Sequence, residues 1–441
     1  MFSYYLKIAF ANLRRDYTLT FLMVVAIGLG IGSTMTMLTV VHVMSRDPLP
    51  QHSASLFHPH IDPLPINYIP HGGIDPNDSL TWRDASYLLT NGPNVKRAAM
   101  AGGRLLIAKA SGSEPSYVDG HYVTSSFFSL FGVPLRAGTS WTTQDDSSRS
   151  HIVVISDSLK DKLFGSESAV GRMVRFGDSD FRVVGVSDSW DPEPLFYNDP
   201  YARTFGAADQ FFIPLSTAID LNLHSTSEFA NWNGSGNSKN DSAGMSRMTD
   251  DQTSWIQFWV SLNDSAEVTD YKNFLSNYSL QQKTLGRFAR DPDVKLYPLM
   301  DWLSHEHLVP GDVSLQSWLA LAFFGVAMIN VVALLMAKFL KRSGEVSLRR
   351  ALGAKKFDVF VQLAIEAAVI GGLGGVLGLC VSQVGTWSIR SRPDDYAKLV
   401  HTDVAMLIAT VLFAVLASVI AALLPAWRAC KAAPAMQIKS L

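Results

Sequence analysis

Residues 315–337 read LQSWLALAFFGVAMINVVALLMA and contain no charged side chain. An α-helix needs about 20 apolar residues to cross the roughly 30 Å hydrocarbon core of a bilayer. Three more stretches meet the same criterion, namely 17–43, 360–387 and 404–424. Buried helices of soluble proteins seldom run so far without charge, so the sequence predicts four transmembrane helices.

The remainder of the chain has the composition of a soluble domain. The whole sequence is 48% hydrophobic and 17% charged, with a net charge of −2, which argues against a nucleic-acid partner. Residues 44–314 contain neither Cys380 nor Cys430, so their fold cannot depend on disulfide bonds. The first span is too long for a signal peptide and lacks an Ala-x-Ala-like site, which predicts an uncleaved anchor.

Lysine and arginine accumulate in three segments, and this asymmetry predicts the orientation of the spans. Residues 338–359 carry seven of them, and residues 1–16 and 425–441 carry three each. Basic residues resist translocation, so these segments are expected in the cytoplasm. The short loop 388–403 and the long stretch 44–314 are then expected on the opposite side.

The basic segment after the second span has the pattern of a short amphipathic helix. It reads EVSLRRALGA over residues 345–354, with an arginine pair between apolar positions and Gly353 as a stop. Membrane orientation explains about half of the positive charges in this region, but neither Glu345 nor the ordered spacing. The pattern therefore predicts a helix that presses on a partner protein.

This segment resembles the coupling helix of the MacB/FtsX-type permeases of ABC transporters, which typically reads E-I-G-L-R-R-A-L-G-A. Eight of the ten positions agree, Val346 is a conservative change, and Ser347 replaces a glycine. The resemblance assigns an ATPase-coupling role to the following residues: Glu345, Leu348, Arg349, Arg350, Leu352 and Gly353.

The resemblance extends over most of the chain. The other similar stretches are LKIAFANLRRDYTLTFLMVVAIGLGIGSTM at 6–35, YVTSSFFSLFGVPLRAGTSWTTQDD at 122–146, HIVVISDSLKDKLFGSESAVGRMVRFGDSDFRVVGV at 151–186 and PAWRACKAAPA at 425–435. The sequence departs from the usual family ending at Met436 and Gln437. Together with Ser347, these departures point to a specialised member, and the sequence leaves open whether it pairs with a second copy of itself or with a related permease.

The resemblance implies an integral membrane α-helical protein with a large α+β extracytoplasmic domain of MacB type. Residues 44–115 and 254–314 are expected to form a Porter-like part, with residues 116–253 as a Sabre-like insertion. Within the insertion, residues 225–253 are rich in Ser, Asn, Gly and Asp, which predicts a mobile loop. The expected cytoplasmic parts are an amphipathic N-terminal helix at 1–16, the coupling helix at 338–359 and the tail at 425–441.

The resemblance also implies a permease subunit that works as a dimer with a separate ABC ATPase. The sequence contains no G-x-x-x-x-G-K-[ST] loop, so ATP and magnesium are expected in the ATPase and no cofactor in this chain. ATP hydrolysis would then move the periplasmic domain and export a peptide, antibiotic or toxin. The expected location is a bacterial inner membrane with both termini cytoplasmic. The expected partners are the ATPase dimer, a second or related permease copy, membrane lipid, and an adaptor with an outer-membrane channel.

Two other functions stay open at this point. A related permease complex could extract lipoproteins or regulate cell-wall hydrolases. A chain anchored by four spans could instead act as a sensor or scaffold without transport. Co-purification of an ABC ATPase would favour the permease, and its absence would favour the scaffold.

Polar residues and glycines within the spans point to helix packing. An ionisable group inside a span suits either a proton or substrate site or a structural ion pair, and Glu366 is expected to pair with an arginine of the coupling segment or of the N-terminal helix. Asn330 is expected to form an interhelical hydrogen bond. Small residues four apart, Gly28 with Gly32 and Gly371 with Gly375, predict close helix packing, within one chain or at a dimer interface.

Two histidine pairs, His58-Pro59-His60 and His305-Glu306-His307, place two imidazoles on one face if each lies on a strand. Four such ligands suit Zn²⁺. Pro59 disturbs the first strand and the second pair also suits a surface loop, so a structural or exposed role is favoured and no metal is predicted. No nucleophile or acid–base constellation stands out, which predicts a subunit that is not an enzyme.

Overall fold

The computed structural model describes residues 2–68, 76–107, 115–198, 205–232, 249–306, 311–342, 344–346, 349, 353–391 and 404–431. The chain divides into two compact units. We call Met1–Ser45 with Val309–Leu441 the membrane unit, and Arg46–Leu308 the outer unit.

The described residues form both long apolar helices and short amphipathic ones. In chain order the helices are α1 Phe2–Arg15, α2 Tyr17–Met44, α3 Trp82–Asn91, α4 Phe127–Phe131, α5 Thr143–Ser147, α6 Asp157–Phe164, α7 Leu215–Asp220, α8 Ser265–Thr284, α9 Leu299–His305, α10 Gly311–Lys341, α11 Lys356–Arg390 and α12 Val404–Lys431. Helices α2, α10, α11 and α12 are long and apolar enough to cross a membrane, which confirms the predicted four spans.

All four spanning helices run beyond the predicted apolar stretches, α2 by a single residue. Helix α11 has 35 residues, and at about 1.5 Å per residue its length of roughly 52 Å exceeds the hydrocarbon core. The prediction of a tail from residue 425 is wrong at its start, because α12 continues through Pro425 to Lys431. Ala426 and Ala429 are buried in the membrane unit, and their packing favours the extra helical turn.

The outer unit is built on β-strands from both halves of its sequence. In chain order these are β1 Leu56–His60, β2 Leu80–Thr81, β3 Arg97–Ile107, β4 Ser116–Val123, β5 Leu135–Gly138, β6 Ile152–Ser156, β7 Met173–Phe176, β8 Ser179–Ser187, β9 Phe211–Pro214, β10 Ala230–Asn231, β11 Thr253–Ser261 and β12 Lys295–Pro298. The main path is β12-β1-β11-β3-β4-β9-β6-β8-β5. Along it, β4 with β9 and β6 with β8 are parallel, and the other neighbours are antiparallel.

The order of the strands separates the ends of the outer unit from its middle. Strands β12, β1, β11 and β3 come from the two ends, whereas β4, β9, β6, β8 and β5 come from residues 116–214. This arrangement, with helices packed on the sheet, confirms the predicted α+β class. The names Porter-like and Sabre-like for the two parts stay predictions.

Strand β11 lies at the centre of the core and is buried along almost its whole length. Adjacent side chains of a strand point to opposite faces. Phe258 therefore packs in one hydrophobic cluster with Leu275 of α8, while Trp259 packs in another with Phe131 of α4. Helices thus cover the sheet on both sides.

The predicted mobile loop at 225–253 is wrong at both ends. Thr226 N–H donates to the Gly102 carbonyl at 3.0 Å, and Ala230–Asn231 pairs with β11. A Cβ at Gly102 would lie 2.6 Å from Thr226 Oγ1, so the bare glycine allows this approach. Residues 233–248, the rest of the predicted loop, lie outside the described residues.

Candidate functional site

The predicted coupling helix ends where the sequence places its stop. Residues 344–346 and Arg349 are helical, and Gly353 has a φ of +100°. The Ala354 N–H donates to the carbonyl oxygen of Arg349 at 3.1 Å. A left-handed glycine together with this bond is the Schellman arrangement that terminates a helix. Leu348, Arg350 and Leu352 lie outside the described residues.

Two exposed contacts hold this segment, which we call the coupling segment (residues 344–354), against neighbouring helices. Arg15 at the end of α1 forms an ion pair with Glu345, and Arg349 donates to Gln362 Oε1 of α11 at 2.8 Å. Exposed ion pairs contribute only about 0–1 kcal/mol to stability. These contacts therefore orient the segment more than they stabilise the fold.

A buried charge network lies behind the coupling segment, centred on Glu366 of α11. Its carboxylate is fully buried and lies 2.7 Å from Lys338 Nζ and 3.3 Å from Arg342 Nη1. Asn12 of α1 donates to it at 3.1 Å. Lys338 lies in the last turn of α10 and Arg342 directly follows that helix, so the two cations are four positions apart and both reach Glu366.

Arg342 joins Glu366 to a second carboxylate. Its Nη2 donates to Asn12 Oδ1 at 2.6 Å, and its Nε lies 3.7 Å from Asp16 Oδ2. Lys341 Nζ also reaches Asp16, at 3.2 Å. One network thus connects α1, the start of α2, α10 and α11.

In the structure Glu366 forms an ion pair with Arg342, which belongs to the segment 338–359. Lys338 and Asn12 are two further partners of Glu366. From the sequence, Lys338 and Arg342 served only to predict which side of the membrane this segment faces. Their spacing of four residues at the end of an apolar run is the signal that could have identified them. Nothing in the sequence indicated Asn12.

A cleft lies between the exposed contacts of the coupling segment and the buried network around Glu366, and it is lined by residues of both. The Val346 N–H donates to the Arg342 carbonyl at 3.1 Å, so the backbone connects the coupling segment directly to a member of the buried network. The cleft is lined by Asn12, Arg342, Glu345, Val346, Arg349, Val359, Gln362, Leu363 and Glu366.

The predicted packing glycines lie at two helix contacts within this chain. On α2, a Cβ at Gly28 would lie 2.8 Å from Leu377, and one at Gly32 would lie 2.6 Å from Val381. Gly371 and Gly375 of α11 face α12 instead. Absent side chains thus let α11 approach both neighbours closely.

Two adjacent glycines of α11 give a matched test of this packing. We expect Gly371→Ala to destabilise the membrane unit by about 1–3 kcal/mol, because its Cβ would lie 2.8 Å from the Ala414 carbonyl oxygen. A Cβ at Gly372 meets nothing within 4 Å, so Gly372→Ala should gain about 0.5–1 kcal/mol of helix propensity. Thermal unfolding of both variants in detergent measures the difference, and equal midpoints would contradict the assigned contact.

The expected interhelical hydrogen bond of Asn330 stays a prediction. Asn330 is exposed on α10, and no described side chain accepts from it or donates to it. The neighbouring Ile329 and Val326 are also exposed, so this face of α10 points away from the other described helices.

The two histidine pairs adopt different structures. His58 and His60 are both buried on β1 despite Pro59, and His58 Nε2 lies 3.2 Å from Gln257 Oε1. Burial, followed by the nearby His60, lowers the pKa of His58 well below 6.5. The strand assumed for the second pair is wrong, because His305 is the last residue of α9. His307 lies outside the described residues.

The outer unit contains a buried ion pair that the sequence did not predict. Arg287 donates to the Asp84 carboxylate through both terminal guanidinium nitrogens, Nη1 at 2.5 Å and Nη2 at 2.7 Å. Tyr278 Oη donates to the same carboxylate. Burial would lower the pKa of Arg287, but Asp84 raises it overall. Burial and then Asp84 raise the pKa of Tyr278. Thr81 and Asp84 have capping spacing, yet no signal pointed to Arg287.

Two known domain families match this chain, and curated proteins of the same kind are similar to it. Residues 20–277 match the MacB-like periplasmic core domain, and residues 318–434 match the FtsX-like permease C-terminal domain. The pyoverdine export ATP-binding/permease protein PvdT of Pseudomonas aeruginosa is 23% identical over 83% of this chain and 49% of its own length. The macrolide export ATP-binding/permease protein MacB of Aggregatibacter actinomycetemcomitans is 22% identical over 69% of this chain and 40% of its own.

Among solved structures, the periplasmic region of MacB from Actinobacillus actinomycetemcomitans has a TM-score of 0.36 and 15% identity, covering 57% of this chain and 94% of that region. The chain spans about half or less of the length of the two relatives above. The periplasmic core match alone covers more than half of the chain, and the chain therefore belongs to the MacB/FtsX family of ABC transporter permeases.

Proposed function

We propose that this chain is the permease subunit that couples ATP hydrolysis by a separate ATPase to movement of its outer unit. The observation that supports this most is the continuity of the coupling segment with the buried network. Arg342 contacts Glu366, and four residues later Val346 donates back to the Arg342 carbonyl. A force on the exposed segment therefore acts on the buried charges behind it.

In this mechanism the buried network moves as one body. Separating Lys338 or Arg342 from Glu366 would leave a charge unpaired in a medium of low dielectric constant, which costs several kcal/mol. Helices α1, α2, α10 and α11 should therefore tilt together when the segment is pushed. Helices α2 and α10 continue along the chain into the outer unit, whose strands would be displaced by the tilt.

The proposal places the coupling segment and both termini in the cytoplasm of a bacterial inner membrane, with ATP and magnesium bound by the partner ATPase. Lysine and arginine concentrate in residues 1–16, 338–359 and 425–441, and this distribution supports the proposed orientation. A second permease copy would complete the unit. Asn330 on an exposed apolar helix face supports such a partner, because an amide within a bilayer is more stable when it is hydrogen-bonded.

Export of a peptide, antibiotic or toxin is the proposed activity, with an adaptor and outer-membrane channel as further components. Relatives named for pyoverdine export and macrolide export support an exporter. The substrate would be bound by the outer unit and expelled by its movement. The close glycine contacts of α2, α11 and α12 support this route over a polar channel between these helices.

The coupling role predicts a specific defect. With the partner ATPase reconstituted in lipid vesicles, we expect Leu348→Ala with Arg349→Ala to reduce substrate-stimulated ATP hydrolysis at least about tenfold, a loss of roughly 1.4 kcal/mol. The physical reason is that the ATPase loses its apolar and charged contacts on the segment. Malachite-green phosphate release measures the rate.

The matched control is Arg428→Ala, another exposed arginine at a helix end of the membrane unit, which should leave stimulation unchanged. Unchanged stimulation in the double variant would refute the coupling role. If no ABC ATPase co-purifies with the chain after gentle solubilisation, the sensor or scaffold function replaces the permease.

A further inference from the structure

Three potential metal ligands converge in the outer unit. Asp78, His305 and Glu306 each offer one ligand atom, and these atoms all lie within 4.8 Å of one another. Asp78 ends the short turn Pro76–Asp78, whereas His305 is the last residue of α9 and Glu306 directly follows it. More than 200 residues separate the two segments, so the fold itself assembles the group.

The spacing suits a metal ion better than a direct ion pair. Asp78 Oδ1 and His305 Nε2 are 3.4 Å apart. A charge-assisted hydrogen bond between them would measure about 2.7–2.9 Å. Two ligands of a tetrahedral zinc ion, each roughly 2.0–2.2 Å from the metal, lie about 3.4 Å apart.

Neighbouring side chains hold the ligands in place. Gln257 is buried and donates to the Asp78 carbonyl at 3.2 Å and to Ser79 Oγ at 3.1 Å, which fixes the turn. The His305 ring stacks on Tyr297 with a centroid separation of 4.8 Å, which fixes its plane. Residues that orient ligands in this way are typical of metal sites.

The two supporting contacts are themselves connected. His58 Nε2–H donates to Gln257 Oε1, and the His58 ring stacks on Trp302 with a centroid separation of 3.6 Å. Trp302 lies one helical turn before His305 on α9. The turn and the helix end are therefore held by one packed network.

We propose that Asp78, His305 and Glu306 form a binding site for a divalent transition metal ion, with zinc as the best match. One imidazole nitrogen with two carboxylate oxygens is a donor set that zinc accepts, and three protein ligands leave one coordination position open. The imidazole disfavours magnesium and calcium, which prefer oxygen ligands alone.

One of the three ligands, His305, is exposed, so an ion could reach the site from solvent. Asp78 is 4% exposed and forms the base of the site, while His305 is exposed at its mouth. A bound ion would tie the end of α9 to the turn Pro76–Asp78.

Metal analysis of the full-length protein in detergent tests this site. After incubation with zinc chloride and removal of free metal, we expect about one zinc ion per wild-type chain. His305→Gln and Glu306→Gln, both at accessible positions, should each weaken zinc binding at least about tenfold. His151→Gln is the matched control, since His151 is an exposed histidine outside the group.

Zinc retained by H151Q and lost by H305Q and E306Q supports the site. Binding that is equal in all four proteins, or lost equally in H151Q, would mean adventitious zinc on surface histidines and would overturn it. No stoichiometric zinc in the wild-type chain, or equally tight binding of calcium, would also overturn it. Thermal unfolding of the apo proteins checks that the glutamine variants are folded.

Discussion

Glu366→Ala is expected to lower the free energy of unfolding of the membrane unit by about 3–5 kcal/mol. The substitution removes the carboxylate that faces Lys338, which is fully buried, and Arg342, which is nearly so. Both cations would then remain in a medium of low dielectric constant with less compensation. At this size of unit, the midpoint of thermal unfolding should fall by about 6–20 °C.

The distribution of cysteine and tryptophan makes this effect measurable in the whole chain. Both cysteines belong to the membrane unit, and Cys380 is exposed on the apolar helix α11, so in detergent its thiol should react with a polar reagent when that helix leaves the micelle, which reports on the membrane unit alone. Seven of the ten tryptophans belong to the outer unit, so tryptophan fluorescence reports mainly on the other. The early transition should appear in the thiol signal.

Two further variants separate charge from packing. Glu345→Gln removes the carboxylate of an exposed pair and should change stability by no more than about 1 kcal/mol. Lys338→Met combined with Glu366→Gln replaces a charged pair by neutral groups and should recover part of the loss. A Glu366→Ala protein with the wild-type midpoint would show that the network does not carry this energy.

Arg287→Met is expected to destabilise the outer unit by about 3–5 kcal/mol. It leaves the fully buried carboxylate of Asp84 without its guanidinium partner, although Tyr278 still donates to it. Arg287→Lys should have an intermediate effect, since lysine keeps the charge but cannot form the two parallel hydrogen bonds. Tryptophan fluorescence during heating or denaturant titration measures the loss.

Arg83→Met is the matched control for this prediction. Arg83 is adjacent to Asp84 on α3, but its side chain is 55% exposed and its partner Asp251 is 41% exposed. Its loss should cost at most about 1 kcal/mol. Equal destabilisation by the two methionine variants would contradict the importance assigned to burial.

The four spanning helices could be predicted from the sequence because the length of an apolar run is a local property. The helix stop at Gly353 was predictable for the same reason, since one glycine after an amphipathic run marks a left-handed residue. The extension of α12 through Pro425 was not, because it depends on packing of Ala426 and Ala429 against other helices. Local propensity yields to tertiary contact at such positions.

The partners within the candidate site could be predicted only in part. A carboxylate within a span implies a cation, and the four-residue spacing of Lys338 and Arg342 was visible in the sequence. The pairing of Arg287 with Asp84 joins residues 203 positions apart and carries no periodic signal. The same holds for Asp78 and His305, which approach only because β1 lies between β11 and β12. Such pairs follow from the order of the strands.

The position of Glu366 in the chain has a consequence for biogenesis. Lys338 emerges from the ribosome 28 residues before the carboxylate that neutralises it. Until α11 is synthesised, Lys338 and the Arg342 that follows α10 are more stable among water and lipid head groups than in hydrocarbon. The end of α10 should therefore settle only when α11 arrives, and the two helices should enter the bilayer as a hairpin.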